Sequence, residues 1–191
     1  MHEVLKNSLA DKIKLSDEQL VFVLGCFKMK KTKRNEVLLE KGEVAQYLYF
    51  VAKGCLRIFL VDNDGNESTR FLVFEGTMGT AFPSFITRQP SVASVQSIEA
   101  SELLMISHHD YQTLLDTVVG WERMTRIDLE RSYIDAIVRI ESLISMDARE
   151  RYHILMKNNP KLIQRLPSKI VADYLGISQE TLSRLKARKN C

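Results

Sequence analysis

The side chains of this sequence best suited to recognition chemistry crowd together near its C-terminus: Gln179, Glu180, Thr181, Ser183 and Arg184, then Lys186, Arg188 and Lys189. Arginine reads guanine O6 and N7 bidentately, glutamine pairs with adenine, and glutamate accepts from cytosine N4. Trailing cations suit phosphates, which position a protein on a duplex without specifying sequence. Ser178, with Thr181 three residues on, marks a helix start. Base-reading types on the first turns of a helix, with cations behind them, are what recognition of double-stranded DNA needs.

The segment that must hold them is Leu166 to Lys189, LPSKIVADYLGISQETLSRLKARK. Ile170, Val171, Leu175 and Ile177 recur at helical spacing around Gly176, and Leu182 and Leu185 supply a second apolar face. Ala172 is small where two steeply crossing helices approach closely. Gly176 falls where the turn between them needs positive φ, which glycine adopts at least cost, and Ile177 can plug the angle. Ser168 is a candidate cap for the first helix. Together these specify a helix-turn-helix, whose second helix enters the major groove with its N-terminal residues on base edges. A plain helical hairpin shares parts of the pattern, but not the polar cluster after the turn.

Charge agrees. The chain has 191 residues and a formal charge of +3, with 27 Lys/Arg and 24 Asp/Glu. From Asp147 onward, ten Lys/Arg stand against four Asp/Glu, a net +6, which leaves 17 against 20, a net −3, for the rest. A basic end on a mildly acidic body fits nucleic acid held by one end. The three cysteines, Cys26, Cys55 and Cys191, are scattered and form no zinc pattern, which predicts a reduced, cytoplasmic setting. The N-terminus has no apolar core of the signal-peptide kind, and the charge-free run from Gly76 to Thr87 is too short to span a bilayer. No membrane association is expected.

Residues 1–30 read as helical, with Ser16 a cap and Leu20, Val23, Leu24 and Phe27 at helical spacing; the basic run from Lys28 to Arg34 reads as a solvated connector. From Glu36 to Ser107 the period changes. Short β-branched and aromatic runs (37–39, 47–51, 55–61, 69–74, 93–98 and 102–106) are punctuated by Gly42, Gly54 and the Asp62-Asn63-Asp64-Gly65-Asn66 hairpin signal. Many short strands at near-regular spacing predict a compact all-β barrel or roll.

A helix starts at Ser107-His108-His109-Asp110, and a longer one follows from about Val119 to Ser145. The long helix carries two apolar stripes: Met124, Ile127, Ile134 and Val138, and Leu129, Tyr133, Ile137, Ile140 and Ile144. One stripe suffices to pack on its own domain, so the second is expected to face a partner in a parallel dimer. Dimerisation suits DNA, since two reading heads match operators with two-fold symmetry. The boundaries expected are 1–118 for the β-domain, 119–146 for the long helix and 147–191 for the helical reading domain.

A β-roll, a long central helix and a C-terminal helix-turn-helix together resemble the Crp/Fnr family of transcription regulators over nearly the whole chain. EKGEVAQYLYFVAKGCLRIFLVDNDGNE (40–67) resembles the family's opening strands, and LGISQETLSRL (175–185) its reading helix, with Glu180, Ser183 and Arg184 on the base-contacting positions. The resemblance implies an α+β fold: a double-stranded β-helix (β-roll, cyclic-nucleotide-binding-like) joined by a dimerisation helix to an all-α DNA-binding domain. It implies a homodimer, with double-stranded DNA and RNA polymerase as partners. The DNA-contacting set it implies is Ser178, Gln179, Glu180, Thr181, Ser183, Arg184, Lys186, Arg188 and Lys169.

Two departures accompany it. Members that bind cyclic AMP carry a Gly-Glu step, the Glu on the ribose hydroxyl, and later an Arg-Ser/Thr-Ala step, the Arg on the cyclic phosphate. Here Thr80 follows Gly79 where the Glu belongs, and Ser91-Val92-Ala93 stands where Arg should lead. A buried phosphate without its cation forfeits the charge-assisted hydrogen bonds that offset desolvation. Cyclic AMP is therefore not expected as a ligand, although Arg88 lies nearby in sequence. The candidate pocket (Met78, Gly79, Thr80, Ala81, Phe82, Ser91, Val92 and Ala93) is apolar, and is either filled by side chains or holds a less polar, unknown small ligand. The second departure is a missing wing. Pro160–Pro167 is too short for the β-hairpin usual there, which leaves backbone contacts to Lys161, Arg165 and Lys169.

Other chemistries fit poorly. No cofactor is expected: the cysteines cannot supply an iron–sulfur set, and only Cys55 or His108 offers a haem ligand. A metal enzyme on a β-roll needs histidines on its strands, but His2, His108, His109 and His153 all fall outside 36–106. No phosphate loop or nucleophile constellation is present, so no catalytic or metal residues are assigned. The remaining rival is a cyclic-nucleotide-fold adaptor or ligand-binding protein that does not touch DNA.

Overall fold

The computed structural model describes residues 1–158 and 162–187. The chain divides into two compact units, one of residues 1–61 and 70–128, the other of 62–69 and 129 onward.

The first unit opens with α1 (His2–Ala10) and α2 (Asp17–Gly25). Ser16 caps α2 with a full capping box: its hydroxyl accepts from Gln19 N, and the Gln19 side chain accepts from Ser16 N. The chain then turns into β1 (Phe27–Thr32), followed by β2 (Val37–Leu39), β3 (Tyr47–Lys53), β4 (Leu56–Val61), β5 (Glu67–Val73) and β6 (Met78–Gly79). After α3 (Phe82–Thr87) come β7 (Ala93–Ser97), β8 (Ser101–Ser107) and α4 (His108–Thr117). The strands form two four-stranded sheets, ordered β1-β8-β3-β6 and β2-β7-β4-β5. The all-β roll expected for 36–107 is present. The basic run from Lys28 differs from expectation: 28–32 is an edge strand paired along β8, not a connector. Lysines suit that edge because their charge discourages pairing with another chain.

Phe50, Leu56, Val95, Leu103, Leu104 and Ile106 of the strands are buried in one core cluster with Leu5, Val23, Leu114 and Trp121 of the helices. Each such burial contributes about 1.5–3 kcal/mol. Ser107 caps α4 by accepting from Asp110 N, so the helix foreseen at His108-His109-Asp110 has a physical start.

The second unit contains the tip of the β4–β5 hairpin, most of α5 (Trp121–Ser145), α6 (Ala148–Asn158), the single turn α7 (Leu162–Arg165), α8 (Ser168–Leu175) and α9 (Gln179–Ala187). Its core is Tyr152, Leu155, Leu162, Leu166, Ile170, Val171, Leu175 and Leu182, all buried. One expectation fails at α8. Its cap is Pro167, with no side-chain capping bond, and the Ser168 hydroxyl accepts from Lys186 Nζ at 3.0 Å instead.

Gly54 is the tightest backbone site in the first unit. Its φ is +108°, and a Cβ there would stand 2.9 Å from Ser101 Cα. Gly54→Ala is expected to lower stability by roughly 1–3 kcal/mol in chemical denaturation, whereas Gly65→Ala, in open space at the hairpin tip, should cost less.

Candidate functional site

The α8–α9 pair is built from the turn outward. Ile170, Val171, Ala172 and Leu175 bury one face of α8. Gly176 then adopts the left-handed conformation, φ +64° and ψ +42°, and its N–H bonds back to Asp173 O. Ala172 is 2% exposed, which permits close approach, and Leu182 of α9 is 1% exposed. Ser178 Oγ accepts from Thr181 N at 3.2 Å and so caps α9.

The polar cluster faces outward. Ser178, Gln179, Glu180, Ser183 and Arg184 are exposed, while Thr181 and Lys186 are half-buried. Arg184 donates to Thr181 Oγ1 at 3.1 Å, which holds the guanidinium along the helix. A hydrogen bond from Ser178 holds the Glu180 carboxyl below its ordinary range, with Arg184 adding to the effect. Glu180 therefore stays an acceptor at neutral pH. Lys169, exposed on α8, lies 3.9 Å from Glu67 of the hairpin. Arg188 and Lys161 fall outside the described residues.

Contacts that the sequence reading did not foresee converge on the last turn of α8. Asp173 Oδ2 accepts from Thr69 N at 2.7 Å and from the Thr69 hydroxyl, 104 residues away in sequence. Arg139 of α5 donates to Thr69 O at 3.0 Å and lies 3.9 Å over the Tyr174 ring. Burial pulls the Arg139 guanidinium down from its ordinary value, opposed by Tyr174 and Asp173. Arg151 of α6 donates to Leu175 O at 2.9 Å, satisfying a carbonyl left open at the helix end.

The long helix keeps its apolar stripes largely uncovered. Only Trp121 and Met124 of α5 are buried. Tyr133, Ile134, Val138, Ile140 and Ile144 are 68%, 58%, 55%, 51% and 81% exposed. Beyond the first turns, only Ile127 and Ile137 of the two stripes are half-buried on the protomer.

In the β-roll, the residues expected at the cyclic-nucleotide positions are engaged in holding the fold. Thr80 is buried and donates to Tyr47 O at 2.8 Å. Ser91, also buried, donates to Ala93 O at 2.7 Å and accepts from Ala93 N. Met78, Gly79 and Phe82 are half-buried, Ala81 and Ala93 are buried, and Val92 faces out at 67% exposure. Arg88 is committed: it donates to Ala45 O at 2.5 Å and to Gln46 Oε1 at 2.6 Å. A cavity of about 290 Å³ lies beside these residues, walled by Leu38, Leu39, Val44, Ala45, Tyr47 and Tyr49 with the polar Glu43 and Gln46; Thr80 alone of the eight expected residues lines it. Among the described residues no group of three His, Cys, Asp or Glu could hold a metal ion.

An eight-stranded roll followed by a long helix and a cluster of short helices defines a cyclic-nucleotide-domain architecture with a helical tail. Residues 29–118 match the cyclic nucleotide-binding domain family. The chain is 25% identical over 175 residues to the cyclic AMP receptor protein of Thermus thermophilus, covering 90% of this chain and 81% of that one. The crystal structure of the Thermus thermophilus catabolite activator protein is 26% identical with a TM-score of 0.58, covering 91% of this chain and 83% of that chain. The c-di-GMP-responsive regulator CLP of Xanthomonas campestris shares the fold, with a TM-score of 0.73 at 17% identity and 92% coverage of both chains. Over about nine-tenths of its length the chain is therefore similar to the Thermus thermophilus cyclic AMP receptor protein, with a cyclic nucleotide-binding domain match confined to residues 29–118.

Burial pushes the Tyr49 phenol at the cavity wall from 10.0 up to about 12, with Tyr47 and Glu43 adding to the effect. The folded state favours the neutral phenol, so this contribution to stability is whole below pH 10 and is lost as pH rises toward 12. Tyr49→Phe is expected to flatten the fall in stability across that window, read by urea unfolding at stepped pH.

Proposed function

We propose that the chain is a homodimeric, sequence-specific DNA-binding transcription regulator whose β-roll does not use cyclic AMP. The observation that carries this reading is the front of α9. A helix anchored by Leu182 and set by a left-handed glycine offers Gln179, Glu180, Ser183 and Arg184 to solvent, one turn after a buried partner helix. This arrangement supports a helix-turn-helix reading, in which such a helix enters a major groove. The net +6 after Asp147 supplies phosphate affinity. Lys169 and Lys186 are the described phosphate contacts of this reading, and Arg188 a further one. Their small number, without a wing, predicts looser non-specific binding, with a loss at high salt whose slope follows the count of phosphate contacts.

The dimer rests on α5. Tyr133, Ile137, Ile140 and Ile144 follow the alternating four-and-three spacing of a coiled-coil seam, and all but half-buried Ile137 are strongly exposed. Uncovered apolar surface of this kind is removed from water by a second copy. RNA polymerase is the further partner that a regulator engages, and the cytoplasm its setting. No described helix is long and apolar enough to cross a membrane.

The negative part of the proposal rests on charge. Ser91 and Thr80 are spent on main-chain carbonyls, and Arg88 is held by Ala45 and Gln46, so no cation of this set is left for a cyclic phosphate. The cavity beside them carries the Glu43 carboxylate and, among the described residues, no cation, which disfavours an anionic ligand there.

Three outcomes follow. Arg184→Ala should lose about 1–3 kcal/mol of affinity for a selected duplex in fluorescence anisotropy, whereas an adaptor that ignores DNA would show no difference. Ile140→Glu should convert a dimer to a monomer in light scattering. Cyclic AMP should produce no thermal shift and no change in DNA affinity; saturable binding coupled to DNA would overturn that part of the reading.

A further inference from the structure

The α8–α9 pair is held by two kinds of contact. Its apolar face, through Ile170, Val171, Leu175 and Leu182, is buried but non-directional. Besides the Lys169–Glu67 pair, several directional contacts fall on one place, Asp173 to Gly176, the last residues before the chain turns into α9. There Asp173 grips Thr69 by both its backbone N–H and its hydroxyl. Arg139 closes the arrangement from α5, donating to the carbonyl of the same Thr69 and stacking on Tyr174. Arg151 fixes the Leu175 carbonyl from α6. The Gly176 backbone sits against Leu143 of α5, with a Cβ there only 3.1 Å from Leu143 Cδ2.

Thr69 is 2% exposed. A carboxylate accepting two bonds beside a guanidinium is a charge-assisted pair, stronger and more orientation-dependent than neutral bonds. The hairpin that carries Thr69 is itself stiff. Asp62 Oδ1 accepts from Asp64 N and Asn66 N, and Asn66 Nδ2 donates to Asp62 Oδ2. None of Asp173, Thr69 and Arg139 belongs to the base-reading cluster.

We propose that Asp173 is a positioning residue for DNA recognition: by gripping Thr69 beside Arg139 it locks the reading pair onto the long helix and so sets the separation at which a dimer presents its two α9 helices. This rests on the DNA-binding dimer proposed above. The physical reason is entropic. Two heads that must reach two half-sites at one spacing gain from a fixed orientation, because effective concentration at the second half-site falls when the head can tilt. A single head on a single half-site gains far less.

The test compares Asp173→Ala, Thr69→Val and Thr69→Ser with the wild-type full chain, on three duplexes chosen by selection: two half-sites at the preferred spacing, the same with inserted base pairs, and one half-site alone. Circular dichroism and thermal melts verify that the helices of each variant are intact. Asp173→Ala is expected to lose about tenfold on the full site, the loss of one charge-assisted contact, while staying within about twofold on the half-site. Its penalty for an inserted base pair should shrink, because a loosened head tolerates wrong spacing. Thr69→Val should shift the same way, and Thr69→Ser, which keeps the hydroxyl, should restore wild-type behaviour. Equal losses on half-site and full site would overturn the proposal, by showing that Asp173 supports the head's own fold or touches DNA. Unchanged full-site affinity would overturn it as well. Wild-type protein with no duplex preference would instead overturn the DNA-binding reading on which the proposal rests.

Discussion

The left-handed turn at Gly176 is the constraint on which the C-terminal unit depends. A φ of +64° is open to glycine at little cost, and it reverses the chain within a few residues. With the turn in place, one helix face can be buried through Val171, Ala172 and Leu175 while the front of the next stays polar and exposed. A side chain at 176 would bring strain and a close approach to Leu143. The outward presentation of Gln179, Glu180, Ser183 and Arg184 follows from that single backbone conformation and the apolar anchors around it.

The β-roll keeps the strand architecture of a cyclic nucleotide-binding domain while the side chains expected at its ligand site bond to the main chain. The cyclic-nucleotide domain architecture is intact, with strands, turn glycines and core in place. The polar groups at the nucleotide positions have turned inward to the main chain, where Thr80 secures Tyr47, Ser91 bridges to Ala93 and Arg88 ties α3 to the loop at Ala45. Buried polar groups need partners, so once the phosphate-pairing arginine is absent, local carbonyls become the available acceptors. A cavity of mixed polarity lies to one side, bounded by Tyr47, Tyr49 and Leu38 together with Glu43 and Gln46.

Much of this was legible in the sequence because it rests on local chemistry. Ser16 and Ser107 announced helix starts, Asp64-Gly65 announced the hairpin, and Gly176 with its flanking apolar residues announced the turn. Where local signals mislead, tertiary context is the reason. The basic residues from Lys28 looked like a connector because an edge strand needs little apolar patterning on its open side. Ser168 looked like a cap, yet Pro167 already sets the entry and leaves the hydroxyl to Lys186. The grip of Asp173 on Thr69 was invisible for a different reason: nothing near either residue records a partner 104 positions away. The separation of the two apolar stripes on α5 was readable; that both stay largely uncovered on the protomer was not.

The most direct measurement of the central claim is selection of random duplexes by the wild-type chain, followed by sequencing of what is retained. An exposed reading helix on each arm of a two-fold dimer predicts enrichment of an inverted repeat with half-site centres about one helical turn apart, roughly 10 base pairs. Enrichment of nothing beyond background, or of a single asymmetric motif without its inverted copy, would contradict the account.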